Sequence, residues 1–165
     1  MLHTTIELRE WRDDDAPAVL AVFQEPDMRA QAPWPVVTLK DAMGWIAAWS
    51  GVGHAFAVTL DGRVVGNVAV TGIDAHDTGW VSYWTAPEAR GRGVAAVATA
   101  QLARWAFRER GLFRLELGHR IDNPASCRVA TKAGFRPEGI ERAKLSYDGV
   151  RYDVERHARL ATDRP

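Results

Sequence analysis

Hydrophobic and polar positions along the chain fall into segments of two periods. Ile6 and Leu8 alternate with polar neighbours between Ile6 and Trp11, which predicts a strand. Val19, Leu20, Val22 and Phe23 then follow helical spacing, with Asp13 as the N-cap. Pro26 to Pro35 reads as a loop that holds Trp34 between two prolines. Leu39, Met43, Ile46 and Trp49 mark a second helix, opened by Thr38 and Asp41 in capping-box order and closed by Gly51 to Gly53. The period then shortens. Ala55 to Leu60 and Val64 to Val70 flank Asp61-Gly62, a pair that tolerates positive φ at both centres of a tight hairpin turn. A polar loop from Gly72 to Thr78 leads into Trp80 to Thr85, a β-branched and aromatic run that Pro87 ends because it cannot donate to a ladder. Val94, Val97, Ala98, Leu102 and Trp105 restore the helical period, and Gly111 stops it. Leu112 to Gly118 is the next strand. Asn123, Pro124 and Gly134 punctuate a short helix, and Asp148-Gly149 joins arms of Ile140 to Tyr147 and Val150 to Leu160.

The order is strand, helix, helix, three antiparallel strands, helix, strand, helix, hairpin. It predicts a mixed α/β fold in which the central crossover joins two adjacent parallel strands. The 165 residues show no repeat, linker or low-complexity segment, so one domain spanning 1–165 is expected.

Composition narrows the classes. The formal net charge is zero, so no global field draws nucleic acid or an anionic membrane. No apolar run approaches the roughly 18 residues of a membrane span, and MLHTTIELRE has no signal-peptide core, so a cytoplasmic protein is expected. Cys127 is the single cysteine, which excludes an internal disulfide and a cysteine-based metal cluster. His3, His54, His76, His119 and His157 show no paired ligand spacing, and no metal is expected.

The chemistry concentrates between Gly79 and Ala100. Arg90-Gly91-Arg92-Gly93 lies between a strand and a helix start, where a curled backbone, unpaired N–H groups and the helix dipole favour an anion. Two arginines add phosphate-matched donors. A P-loop is absent. Gly91-x-Gly93-x-x-Ala96 satisfies the loose dinucleotide pattern, but it sits mid-chain and Glu116 falls inside the next strand, so a dinucleotide-binding protein is the remote alternative.

Arg90-x-x-Gly93-x-Ala95 after a strand resembles the acetyl-CoA pyrophosphate loop of the GNAT N-acetyltransferases, and the run Tyr83 to Gly93 is similar to their RimJ/RimL-type, ribosomal-protein-acetylating branch. Asn123-x-x-Ser126, eight residues before Gly134-Phe135, is similar to the same branch, as are Arg114-Leu115-Glu116 and Glu138-Gly139. The resemblance covers Ile6 to Leu160. It implies a GNAT fold: a mixed central sheet of about seven strands, splayed at its centre to admit the pantetheine arm and flanked by about four helices. It implies acetyl-CoA as cosubstrate and transfer of the acetyl group to a primary amine, a peptide N-terminus or a small molecule, by direct attack in a ternary complex. The acceptor amine is the expected partner, with a homodimer as an oligomeric option. Two positions depart from the family. The tyrosine expected four residues before the Gly-Phe pair is Ala130, and a glutamate frequent in the crossover helix is Val97. These departures keep a non-catalytic CoA-binding sensor as the rival reading.

Carried onto this chain, the resemblance assigns the pyrophosphate to Gly91, Gly93, Val94 and Ala95, with Arg90 and Arg92 alongside. It assigns the pantetheine to Asn123 and the backbone of Trp84 and Thr85, a phosphate to Arg128, and protonation of the leaving thiolate to Ser126. Candidate bases are Glu116, His119, Asp74, His76 and Asp77, with His119 preferred for a pKa near neutrality. Cys127 reads as a packed thiol, with an acetyl-carrying nucleophile as its alternative. Trp34, Trp45, Trp49 and Trp80 are expected around the acceptor.

Overall fold

The computed structural model describes residues 5–29 and 31–164; His3 lies outside them. Seven strands are β1 (Ile6–Glu10), β2 (Gly53–Leu60), β3 (Arg63–Thr71), β4 (Thr78–Thr85), β5 (Arg114–Arg120), β6 (Arg136–Tyr147) and β7 (Val150–Leu160). Five α-helices are α1 (Ala16–Phe23), α2 (Pro26–Arg29), α3 (Leu39–Ala47), α4 (Val94–Glu109) and α5 (Pro124–Lys132). The strands form one sheet in the order β1-β2-β3-β4-β5-β7-β6. Every neighbouring pair is antiparallel except β4 with β5. This is the expected GNAT architecture with one helix added. The extra helix, α2, is a single turn inside the stretch that sequence alone reads as a loop, and it buries Met28 completely.

Both predicted hairpins close as two-residue turns with positive φ at each centre, 51° and 82° at Asp61-Gly62 and 49° and 78° at Asp148-Gly149. The start of α1 differs from expectation. Asp13 belongs to a short 3₁₀ turn, and Asp15 stands before α1. The Asp15 carboxylate accepts two 2.7 Å bonds from the Arg9 guanidinium and one of 2.9 Å from the Arg12 backbone N–H. A part-buried ion pair thus fixes the helix start in place of an exposed cap.

Two apolar clusters cover opposite faces of the sheet. One packs α4 and α5 on Val68, Val70, Val81, Leu115 and Leu117, and the other packs α1 and α3 with Met28 and Trp84. Because side chains alternate along a strand, Tyr83 projects to the α4–α5 side and Trp84 to the α1–α3 side.

The central parallel pair is short. Register holds only at Thr78↔Arg114, Gly79↔Leu115 and Trp80↔Glu116. Beyond that point β4 stays on β3 as far as Thr85, β5 stays on β7 as far as Arg120, and the two strands part. At the last pair the Trp80 ring lies over Gly118, where an added Cβ would sit 3.1 Å from the ring and 2.9 Å from Val154. Only glycine leaves room for that indole. The sheet is neither all-parallel nor doubly wound, and Gly91 and Gly93 open its fourth helix rather than a first βαβ unit, so the dinucleotide alternative is set aside.

Candidate active site

The split between β4 and β5 opens onto the start of α4. Gly93 takes the N-cap position with φ 77°, and no side chain caps the helix. Its first turn carries no acidic residue, and the first intrahelical acceptor bond runs from Val97 N–H to the Gly93 carbonyl at 3.1 Å. The N–H groups of Val94, Ala95 and Ala96 therefore have no partner within the helix. Gly91 also holds a positive φ of 73°, and a Cβ built on either glycine meets nothing within 4 Å. The backbone is thus curled and open to close approach by an anion.

A cavity of about 510 Å³ lies in front of this turn, between the end of β4 and the first turns of α5. Of the residues expected to hold the cofactor, Trp84, Thr85, Arg90, Gly91 and Gly93 line it from the β4–α4 side. Val94 and Ala95 continue that wall, and Asn123, Ser126 and Arg128 line it from α5. Arg92 is exposed and does not line it. Arg90 is engaged: Nη1 lies 2.6 Å from Asp27 Oδ2, and Nε donates to the Thr85 carbonyl at 3.0 Å. Lys132 also lines the cavity, one helical turn beyond Arg128. Among the described residues neither Arg128 nor Lys132 has an ion-pair partner, so α5 presents two uncommitted cations to the anion cradle.

The α5 helix is punctuated as the sequence predicts. Asn123 Oδ1 accepts from the Ser126 N–H at 3.1 Å, Pro124 follows, and Gly134 ends the helix at φ 84°. Arg159 Nη1 donates to the Ala133 carbonyl at 2.8 Å and caps the C-terminal end. Ser126 on α5 and Tyr83 on β4 line the same cavity. Burial pushes Tyr83 above its usual pKa, and the Ser126 hydrogen bond partly opposes that rise.

A second cavity of about 350 Å³ lies on the α1–α3 side and shares Gln31, Tyr83 and Trp84 with the first. Phe23, Trp34, Trp45 and Trp49 supply its aromatic walls, and among the described residues no acidic or basic side chain lines it. The indole N–H groups of Trp49 and Trp84 are buried and have no hydrogen-bond partner among the described residues. Trp80 does not take part; its ring carries the Arg156 guanidinium at 5.4 Å, and Trp84 occupies the expected place.

The residues read from sequence as candidate bases line neither cavity. Glu116 is held by Arg114 and Arg156, both at 2.7 Å. Asp74 folds back on the N–H groups of His76 and Thr78, which hold its carboxyl below the usual range. His119 is buried beneath α5 against His157. Cys127 likewise faces β7, where its thiol donates to Glu155 at 3.7 Å.

Tyr83, Lys132 and Asp27 line the first cavity and are residues that the sequence did not single out. Lys132 was accessible, since i and i+4 share a helix face with Arg128. Tyr83 was hidden because its side chain depends on which strand face meets α5.

Known proteins share this fold. A GNAT acetyltransferase domain model matches residues 5–136. YdaF of Bacillus subtilis, assigned as a ribosomal N-acetyltransferase, is 26% identical over 92% of this chain and 88% of its own length. YjcK of the same organism, assigned as an N-acetyltransferase, is 34% identical over 62% of this chain, a stretch that spans 58% of YjcK. The structure of Mycobacterium smegmatis RimJ in complex with CoA-disulfide is 27% identical and superposes with a TM-score of 0.80, covering 94% of this chain and 82% of that one. With four fifths of its length inside the family model and relatives of RimJ/RimL type beside it, the chain belongs to the GNAT family of acetyltransferases.

Proposed function

We propose that this N-acetyltransferase uses acetyl-CoA and acetylates a primary amine carried on an apolar or aromatic body, by direct attack in a ternary complex. The observation that carries the reading is the pair of cavities meeting at Tyr83 and Trp84, one an anion cradle and the other aromatic and free of charge.

The residues present fit the cosubstrate. Unpaired N–H groups of α4 with Arg128 and Lys132 suit a pyrophosphate, and the parted edge of β4 with Asn123 suits an extended amide-bearing arm. Bound there, acetyl-CoA supplies an activated thioester. The β4 edge beside Trp84, which no strand covers, is placed to pair with the arm and polarise a carbonyl. Tyr83 at the junction and Ser126 on α5 supply two hydroxyls to the first cavity, and a phenol pushed upward stays protonated at neutral pH. That pair holds the proton that a departing thiolate needs.

The aromatic cavity has no carboxylate to accept a proton or anchor a cation. Desolvation there disfavours the ammonium form and selects an amine that arrives neutral. The aromatic walls suit an apolar or aromatic body on the acceptor, as in a peptide N-terminus or a small aromatic amine.

The test is release of free thiol from acetyl-CoA across a panel of aromatic amines, N-terminal peptides and polyamines. Turnover with the first two and none with spermidine is expected. Tight acetyl-CoA binding with no release for any amine would make the protein a non-catalytic sensor.

A further inference from the structure

We propose that His119, Cys127, Glu155 and His157 form a structural zinc site that fastens the first turn of α5 to the sheet. One ligand atom from each of the four lies within 4.8 Å of all the others. Spacing along the chain concealed the group, because strand pairing assembles it. In the β5–β7 register His119 faces Glu155, and His157 lies two residues further along β7 on the same face. Cys127 descends onto this patch from α5.

The donor set and its spacing suit zinc. Tetrahedral zinc with ligand bonds of about 2.0 to 2.3 Å separates its donors by roughly 3.4 to 3.6 Å. Here the two imidazole Nε2 atoms are 3.0 Å apart, Glu155 Oε2 lies 2.9 Å from His157 Nε2 and 3.2 Å from His119 Nε2, and Cys127 Sγ lies 3.7 Å from Glu155 Oε2. The imidazole and carboxylate donors would open by a few tenths of an ångström to admit the ion, and Cys127 Sγ, within 4.8 Å of every other donor, would close by up to about 1 Å through rotation of its side chain. Thiolate, carboxylate and two neutral imidazoles balance a divalent charge, so the ion would sit between the two buried imidazoles without net charge.

The orientation of the rings is the second observation. His119 Nδ1 lies 2.9 Å from the Arg120 carbonyl and His157 Nδ1 lies 3.4 Å from the Phe135 carbonyl. A carbonyl only accepts, so both Nδ1 atoms carry the proton in the neutral ring and both Nε2 lone pairs point inward. In the metal-free cluster a proton shared by these nitrogens and the Glu155 carboxylate holds the three groups together, and the ion would take its place. Metal-bound histidines hold their second nitrogen in this way, on a backbone carbonyl. Four protein ligands leave no open position, so the site is structural. Binding displaces the Cys127 thiol proton together with any proton shared by the imidazoles.

The experiment uses the untagged full chain, stripped by dialysis against a chelator and titrated with zinc and with cobalt(II). We expect one equivalent of either metal, a higher Tm with zinc, and a cobalt spectrum showing tetrahedral d–d bands with a thiolate charge-transfer band. Because His157 is wholly buried and its replacement risks unfolding, the variants are Cys127→Ser and Glu155→Gln. Cys127→Ser should abolish the charge-transfer band and weaken zinc by about 100-fold or more, since even outer-shell losses cost about 10- to 100-fold. Well under one equivalent bound with an unchanged Tm would overturn the site and leave a hydrogen-bonded cluster with a shared proton. Stoichiometric binding unaffected by Cys127→Ser would overturn it equally, by placing the metal elsewhere.

Discussion

Arg90 Nη1 lies 2.6 Å from Asp27 Oδ2 at the mouth of the cavity in front of α4, so the first arginine of the glycine loop is already paired. Asp27 sits on α2, the one-turn helix invisible in the sequence pattern. Both side chains are about half exposed, and such a pair contributes only ~0–1 kcal/mol. Its greater effect is to set a carboxylate beside an anion cradle. Asp27→Asn should tighten acetyl-CoA binding about 2- to 10-fold by calorimetry without changing Tm appreciably. Weaker binding would mean that Asp27 serves to aim Arg90.

Gly93→Asp should abolish acetyl-CoA binding while the chain stays folded. A side chain at this φ of 77° is strained, by ~1–2 kcal/mol for a residue in the left-handed region, yet it meets no neighbouring atom. Gly93→Ala carries the same strain without the charge and should retain partial binding. Equal losses in the two variants would assign the effect to backbone geometry rather than to the anion.

Ser126→Ala and Tyr83→Phe probe the hydroxyl pair. If the pair protonates the thiolate, each should lower kcat by about 100-fold, the lower end for general acid catalysis, with acetyl-CoA affinity kept. The double variant should fall little further, because partners in one step are not additive. Near wild-type turnover in both single variants would hand protonation to water.

Asp15 ties stability to pH. The Arg9 guanidinium, then the Arg12 backbone N–H, hold its carboxyl below the usual range. A carboxyl depressed on folding contributes stability that is present above its unfolded pKa of about 3.9 and is lost as pH falls through the folded value. Asp15→Asn should cost ~1–3 kcal/mol at pH 7, discounted because Arg9 is a quarter exposed, and should flatten the acid limb of the Tm–pH curve below about pH 4. Parallel acid limbs for variant and wild type would remove Asp15 from that transition.

Much of this was legible in the chain because it is written locally. The Asp-Gly turns, the Asn123–Pro124–Gly134 punctuation and the glycine loop each depend on a few consecutive residues, and each occurs in the structure. What was hidden depends on register. Trp80 and Trp84 share a strand face, but four residues at about 3.3 Å each put them roughly 13 Å apart, one on the zipped side of the split and one on the open side. His119 and His157 are 38 residues apart in sequence, and only the β5–β7 pairing reveals them as neighbours. The α2 turn is too short to carry a period, and Met28 reports it only once its burial is seen.

The two halves of the sheet meet at β4 and β5 through three residue pairs. A ligand lying along the parted edges would act as the missing stretch of strand, sewing one half to the other. The protein's weakest seam would then be mended by the molecule it consumes. Since a ligand that binds only the folded form raises its stability with concentration, resistance to unfolding and to proteolysis would rise and fall with acetyl-donor supply. In a cell running short of that donor, the enzyme would lose not only its substrate but part of what holds it together.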